Sequence, residues 1–282
     1  MKSHNEPLVS VFIPTKNRLE LLARAINSVK AQTYKNIEII VVDDGSTDET
    51  WSYLQQQNQT SGTVIIRNEE SQGACAARNA AILASTGNFV TGLDDDDYFA
   101  PDRIDQFVKR WETSESVAGL FDSVQIITAN GRVIRHQKQV VTYQNLRKTN
   151  LVGSLVFAPR SHYIEAGLFD KAMPAWQDWD LWIRMARIFG DFVNIGRTSC
   201  VLDEIHGNAR ITTGNEKKIR LAKENLTKKL QPLTRFEKSS LIISMHGYPQ
   251  VKPKVREIFT LIATGRVRST MRSVKKWLNL RK

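Results

Sequence analysis

Short β-branched runs and helix-period segments take turns over the first hundred residues. Residues 8–13, 37–42, 63–66 and 88–92 are apolar runs of strand length, each bounded by turn-forming residues, which is the pattern of buried strands. Between the first two, residues 18–32 place Leu19, Leu22, Ala23, Ile26 and Val29 on one helical stripe. Residues 48–57 follow an Asp-Gly-Ser-Thr turn that can cap a helix. Residues 73–85 form an alanine-rich helix stopped at Thr86-Gly87. Strand–helix repeats at this spacing predict βαβ units, hence an α/β fold around a Rossmann-like, mostly parallel sheet flanked by helices. Ligands of such sheets bind beyond the carboxyl ends of the strands. Two acidic turns fall at that edge: Asp43-Asp44 after the second strand and Asp94-Asp95-Asp96-Asp97 after the fourth.

The pattern then changes. A helix is expected from Pro101 to about Trp111, and residues 117–127 and 132–141 flank Asn130-Gly131, a hairpin signal. Residues 154–158 and 191–195 read as short strands, and 178–189 as a helix with Trp179, Trp182, Ile183 and Ala186 on one stripe. A loop from 200 to 215 leads into a helical tail with a break near Gly247-Tyr248-Pro249. The expected organisation is a catalytic unit over 1–214 and an extension over 215–282. Within the first, 8–100 would form a nucleotide-binding half and 101–214 an acceptor half.

Charge sharpens that division. The 282 residues carry +11. Residues 1–214 hold 22 Lys and Arg against 25 Asp and Glu, whereas 215–282 hold 18 against 4, so the excess belongs to the tail. A basic tail meets an anionic partner, either a lipid surface or a nucleic acid. The apolar runs are far shorter than the roughly 20 residues of a membrane span, and the polar residues 1–7 carry no leader pattern. Two distant cysteines, Cys75 and Cys200, make no disulfide framework and fit a reducing compartment.

The strongest chemical signal is the run of four aspartates. Adjacent carboxylates repel and call for a cation or full solvation, and hard divalent ions take oxygen ligands together with substrate phosphates. This run sits between a buried strand and Tyr98-Phe99, where a solvated surface loop is out of place. Asp43-Asp44 fits either nucleotide recognition or an ordinary turn with Ser46 or Thr47 as cap.

Five segments, in order, resemble glycosyltransferase family 2. They are Val9 to Arg18, Val42 to Asp48, Gly73 to Asn79, Gly87 to Asp97, and Gln177-Asp178-Trp179-Asp180-Leu181-Trp182. The resemblance extends over about residues 8–212 and implies a GT-A fold and an inverting, metal-dependent transfer from a nucleoside-diphosphate sugar. It implies that Pro14, Thr15 and Asn17 line the nucleotide pocket, that Asp44 contacts the base, and that Arg78 lies near the donor; by the residues alone Arg78 equally reads as a salt bridge supporting the acidic loop. Asp94 and Asp96, with Asp95 between them, fall on the family's Asp-x-Asp motif for Mg²⁺ or Mn²⁺. His206, in a loop able to hinge at Gly207 and Gly214, is a further metal ligand by the same resemblance. Asp178 matches the catalytic base, and by the residues alone it also reads as a helix N-cap. The family often has Glu-Asp where this chain has Gln177-Asp178. UDP is the default nucleotide on family grounds.

The tail bears on the acceptor. Residues 267–280 alternate apolar and basic positions at helical spacing, as interfacial helices do. Peripheral attachment to the cytoplasmic face of a bacterial plasma membrane is therefore expected, with a glycan or lipid-linked acceptor in polysaccharide or lipopolysaccharide synthesis. A processive polymerase is disfavoured, since neither membrane spans nor a Gln-x-x-Arg-Trp motif is present. Two alternatives stand beside this reading. A nucleotidyltransferase would need a glycine-rich phosphate loop after the first strand, which Pro14 to Arg18 lacks. A nucleic-acid-binding protein would use the tail, though no basic-aromatic or zinc-finger spacing is seen.

Overall fold

The computed structural model describes residues 6–113, 116–135, 137–204 and 215–279. Its first half follows the hydrophobic pattern: β1 (Val9–Thr15), α1 (Leu19–Lys30), β2 (Ile37–Asp43), α2 (Thr50–Ser61), β3 (Val64–Arg67), α3 (Ala74–Ala84) and β4 (Phe89–Gly92). These strands lie in the order β3-β2-β1-β4, all parallel. Alternation along them sends side chains to two cores. Val9, Val11, Ile13, Ile39 and Val41 pack with Leu22 and Ile26 of α1, whereas Phe12, Ile40 and Val42 pack with Ala77 and Ala81 of α3. Gly92 is required where β4 ends: a Cβ there would stand 2.6 Å from the Phe12 ring.

The second half departs more from the pattern. β5 (Tyr98–Phe99) and α4 (Arg103–Glu112) follow the acidic run. Next come β6 (Gly119–Thr128), β7 (Gly131–Arg135), β8 (Val140–Val141), the one-turn α5 (Tyr143–Leu146), β9 (Phe157–Pro159), α6 (Arg160–Glu165), α7 (Gln177–Phe189) and β10 (Phe192–Asp203). β9 lies antiparallel between β4 and β6, and β6 and β10 run parallel to each other. The strands β1–β4, β6 and β10 therefore share one direction, and the sheet is mostly parallel among the described residues. The expected hairpin forms from β6 and β7, but β8 leaves it to pair with β10. The strand at 191–195 and the loop expected from 200 are corrected: one strand runs to Asp203, interrupted by register shifts between Asn194 and Cys200.

Four helices close the chain: α8 (Glu216–Lys229), α9 (Arg235–His246), α10 (Val255–Ala263) and α11 (Val267–Asn279). Ile219, Ala222, Leu226, Leu241 and Met245 of α8 and α9 share one core cluster with Trp176, Trp179 and Trp182. Among the described residues, no helix is long and apolar enough to cross a membrane. Cys75 and Cys200 are both free and buried.

Candidate active site

A cleft of about 790 Å³ opens at the carboxyl ends of β1, β2 and β4. Pro14, Thr15, Asn17, Asp44, Arg78, Asp94, Asp95, Asp96 and Asp178 all line it. The structure thus brings together the described residues that the family resemblance assigns to the site. His206 lies outside the described residues, together with its neighbours Gly207 and Gly214.

The aspartate run is not a solvated loop: Asp95, Asp96 and Asp97 are buried. It is held at both ends, by β4 before it and by β5, which pairs with β10 after it. Its charge is met largely by arginines. Arg18 donates to Asp95 at 2.9 Å and to Asp96 at 3.1 Å. Arg78 donates to Asp94 at 2.9 Å, and Arg24 donates to the Asp96 carbonyl. Thr15 Oγ1 donates to the other oxygen of Asp95 at 2.8 Å. Burial pushes the Asp95 carboxyl up to about 6 despite Arg18 and Thr15, with the neighbouring Asp96 adding to the rise. Asp97 Oδ1 accepts the backbone N–H of Asp203, so the last member of the run anchors it to β10.

Asp44 also has a structural part. Asn68 Nδ2, Ser71 Oγ, Gln72 N and Gly73 N donate to its two oxygens at 2.6–2.9 Å. A carboxylate offers about four acceptor sites, and these four donors use them. Burial alone would raise its pKa, but the four hydrogen bonds outweigh burial and hold it below the usual range. Asp44 lines the cleft with both oxygens engaged by protein donors. Asp44 fixes the segment from β3 to α3, where Gly73, at φ +88°, turns its N–H back onto Asp44.

Asp178 lines the same cleft as the aspartate run, near enough for the Asp94 charge to act on it. The N-cap of α7 is Trp176, in the left-handed region at φ 59°, so the N-cap reading of Asp178 is corrected: its carboxylate stands one residue inside the helix. Asn150 Nδ2 donates to Asp178 Oδ2 at 3.0 Å, and Asn150 Oδ1 is fixed by the N–H groups of Val152 and Gly153. Burial raises the Asp178 pKa; the Trp179 N–H and the Arg78 charge offset only part of that rise. Arg78 also donates to Gln177 Oε1 at 3.2 Å. One guanidinium thus joins the aspartate run to the start of α7. Trp176, Trp179 and Trp182 are all buried, and their indole N–H groups are bound to Tyr248, Leu146 and Gly153. Trp176 and Trp179 reach the cleft, while Trp182 is core.

The glycosyl transferase family 2 model matches residues 10–165. The chain belongs to glycosyl transferase family 2. It is similar to WcaA of Escherichia coli K12, named as a colanic acid biosynthesis glycosyl transferase, with 34% identity over 76% of this chain and 78% of that protein. A chondroitin synthase of Escherichia coli is 26% identical over 78% of this chain, which spans only 31% of that protein. Among solved structures, Staphylococcus aureus TarS 1–349 in complex with UDP-GlcNAc gives a TM-score of 0.62 at 16% identity, covering 97% of this chain and 91% of that one. The mannosyltransferase PcManGT from Pyrobaculum calidifontis, in complex with GDP-Man and Mn²⁺, gives 0.59 at 17% identity, covering 97% and 85%. These likenesses show the GT-A fold.

As a family 2 glycosyltransferase, the chain sets aside the nucleotidyl-transfer alternative. Its family match ends before Asp178, so that residue rests on the cleft geometry. Sequence reading missed four contributors. Arg18 clamps two of the aspartates, Asn150 holds Asp178, and Ser244 and Tyr248 bring the C-terminal helices into the wall of the cleft. Only Arg18 had a local signal, its place directly after the first strand.

The cleft suits a hard divalent ion. Asp94 and Asp96 offer carboxylate oxygens, and Arg78 and Arg18 each engage one of them. Among the described residues, no group of three or more ligating side chains is assembled. Ions of the Mg²⁺ type are commonly held by one or two carboxylates with substrate phosphates completing the shell, and this donor set fits that arrangement.

Proposed function

We propose that this glycosyltransferase moves a single sugar, with inversion, from a nucleoside-diphosphate sugar to an acceptor hydroxyl, using a divalent ion held by Asp94 and Asp96. The observation that carries the reading is the charge of the cleft. Six aspartates line it (Asp44, Asp94, Asp95, Asp96, Asp97 and Asp178) against Lys16, Arg18 and Arg78, a balance of −3. A diphosphate entering that field is repelled unless a cation enters with it, and repulsion between buried charges is little screened.

Asp178 lines the cleft with the aspartate run and takes the proton of the attacking hydroxyl. The new bond forms at the anomeric carbon on the face away from the diphosphate, and the departing oxygen keeps the electron pair of the broken bond. The ion, when bound, offsets the charge gathering on the leaving diphosphate. Asn150 holds the carboxylate in place, and the raised pKa of Asp178 makes it a stronger base than a solvated aspartate. Arg78 keeps the donor and base sides in register. Trp176, Ser244 and Tyr248 wall the end of the cleft left for the acceptor. Relatives named for colanic acid and chondroitin synthesis, and structural neighbours holding UDP-GlcNAc and GDP-Man, support a nucleotide-sugar donor and a polysaccharide product.

The test is a donor screen with UDP-, dTDP- and GDP-sugars and Mg²⁺ or Mn²⁺, read by release of nucleoside diphosphate. Metal-dependent turnover of one donor, abolished in Asp96→Ala, is the expected result. Turnover unaffected by chelation would refute the metal, and retention of anomeric configuration in the product would refute the single displacement.

A further inference from the structure

α11 sits on the protein the wrong way round for a core helix. Its inward side is polar. Ser273 Oγ is 2.8 Å from His246 Nδ1, Arg266, just before the helix, donates to Ser240 at 2.6 Å, and Lys276 donates to the carbonyls of His246 and Tyr248. Its apolar stripe faces outward instead. Val267, Met271 and Leu278 are 66%, 68% and 51% exposed, and half-buried Val274 lies on the same i, i+4, i+7, i+11 line. α10 continues the surface with Val255, Phe259 and Ile262, also exposed at i, i+4 and i+7, with Phe259 at 65%. Beside the α11 stripe runs a second exposed line, Arg268, Arg272 and Lys275.

Apolar side chains gathered this way on a surface mark a contact with something else. The parallel basic line says what. Two copies meeting through this face would bring two such lines together within a region that already carries +14. An anionic surface would be attracted by the same charges. An apolar ridge flanked by Arg and Lys is the form of a helix lying in the headgroup layer.

We infer that α10 and α11 form a membrane-docking face, which seats Val255, Phe259, Ile262, Val267, Met271 and Leu278 among the acyl chains of an anionic bilayer with Arg268, Arg272 and Lys275 on its headgroups. The polar inner side of α11 leaves the helix attached to the protein while its apolar stripe is in lipid. Tyr248, whose carbonyl helps hold α11, also lines the cleft, together with Ser244. The helix that meets the lipid is thus tied to a residue of the cleft wall. This inference stands on the surface alone and does not depend on the sugar chemistry.

The test is flotation of the full chain with vesicles of phosphatidylcholine and phosphatidylglycerol (7:3) against phosphatidylcholine alone, at two salt concentrations. Binding to the anionic vesicles that weakens with salt is expected. Each lost charge near such a surface costs about fivefold in binding, so Arg268→Gln/Arg272→Gln/Lys275→Gln weakens it on the order of 100-fold. Phe259→Asp/Met271→Asp abolishes it while circular dichroism and the melting temperature hold, because both side chains are exposed. No binding by the wild type, or binding indifferent to both sets of changes, overturns the inference. So does a dimer by light scattering that the Asp pair dissociates, which would assign the face to self-association.

Discussion

Asp178→Asn separates a catalytic carboxylate from a structural one, because the two roles predict opposite changes in stability. Asn is isosteric and can still accept the Asn150 hydrogen bond with its amide oxygen, so the cleft keeps its shape. The charge is lost, and with it the base. General-base assistance contributes about 10²–10⁴-fold, or roughly 3–5 kcal/mol of barrier, and transfer should fall by that factor. Burial raises the pKa of Asp178 above its unfolded value of 3.8. A raised carboxyl pKa favours folding below the unfolded value, and that contribution is lost as pH rises through the folded value. At neutral pH the wild type therefore carries the cost of an ionised, desolvated carboxylate that the Asn variant does not. The variant should melt at the same temperature or higher at pH 7.5, with its advantage shrinking as pH falls toward 4. The assay pairs thermal unfolding across that pH range with transfer to a panel of lipid-tethered and soluble sugars, and donor affinity is measured separately by nucleoside-diphosphate titration. A variant that loses transfer while keeping donor affinity and stability supports the base. Transfer within tenfold of wild type refutes it, and a melting temperature lowered by several degrees at pH 7.5 would show that the charge is structural.

Arg18→Gln leaves Asp95 and Asp96 without their shared cation; breaking a buried pair from one side costs about 3–5 kcal/mol, which denaturant unfolding would show, and added Mn²⁺ should restore part of the loss. Glu237, held to about 2 first by its Arg147 hydrogen bond and capping α9, contributes stability that is present above pH 4.5 and lost as pH falls toward 2. Glu237→Gln should therefore flatten the acid limb of the unfolding profile. Tyr248→Phe removes the partner of the Trp176 indole N–H; it should cost about 1–3 kcal/mol of stability and raise the acceptor KM while donor hydrolysis stays unchanged.

What could be read from the sequence followed from how local each signal is. β1, β2 and β4 announce themselves because alternate side chains are buried on both faces, and the aspartate run is contiguous. β10 reads as a strand of only 191–195 because Gly196, at φ 74°, and the shifts between Asn194 and Cys200 interrupt the period of two. The arginine clamp was hidden by distance: Arg18 reaches Asp95 across 77 positions. Asn150 was missed because a loop asparagine carries no pattern, and Ser244 and Tyr248 because nothing local says that a basic tail folds back onto the cleft. The α11 stripe was visible, but a helical period does not say which face turns outward. That depended on His246 and Ser240 offering polar partners to the other side.

The same pairing logic explains why Gln177 is accepted beside Asp178. Arg78 already serves Asp94 at 2.9 Å and Gln177 at 3.2 Å. A glutamate at 177 would compete with Asp94 for that guanidinium and move the cleft from −3 to −4. It would also lose the Gln177 Nε2 donor that holds the Met173 carbonyl at the approach to α7. With a neutral amide, Arg78 remains committed to the aspartate run, and the first turn of α7 adds to Asp178 only Asp180, which Arg184 and Lys229 neutralise. The neighbouring residue thus limits like-charge repulsion on the proposed base, whose pKa is raised chiefly by burial, while the aspartate run keeps the negative charge on which the proposed cation rests.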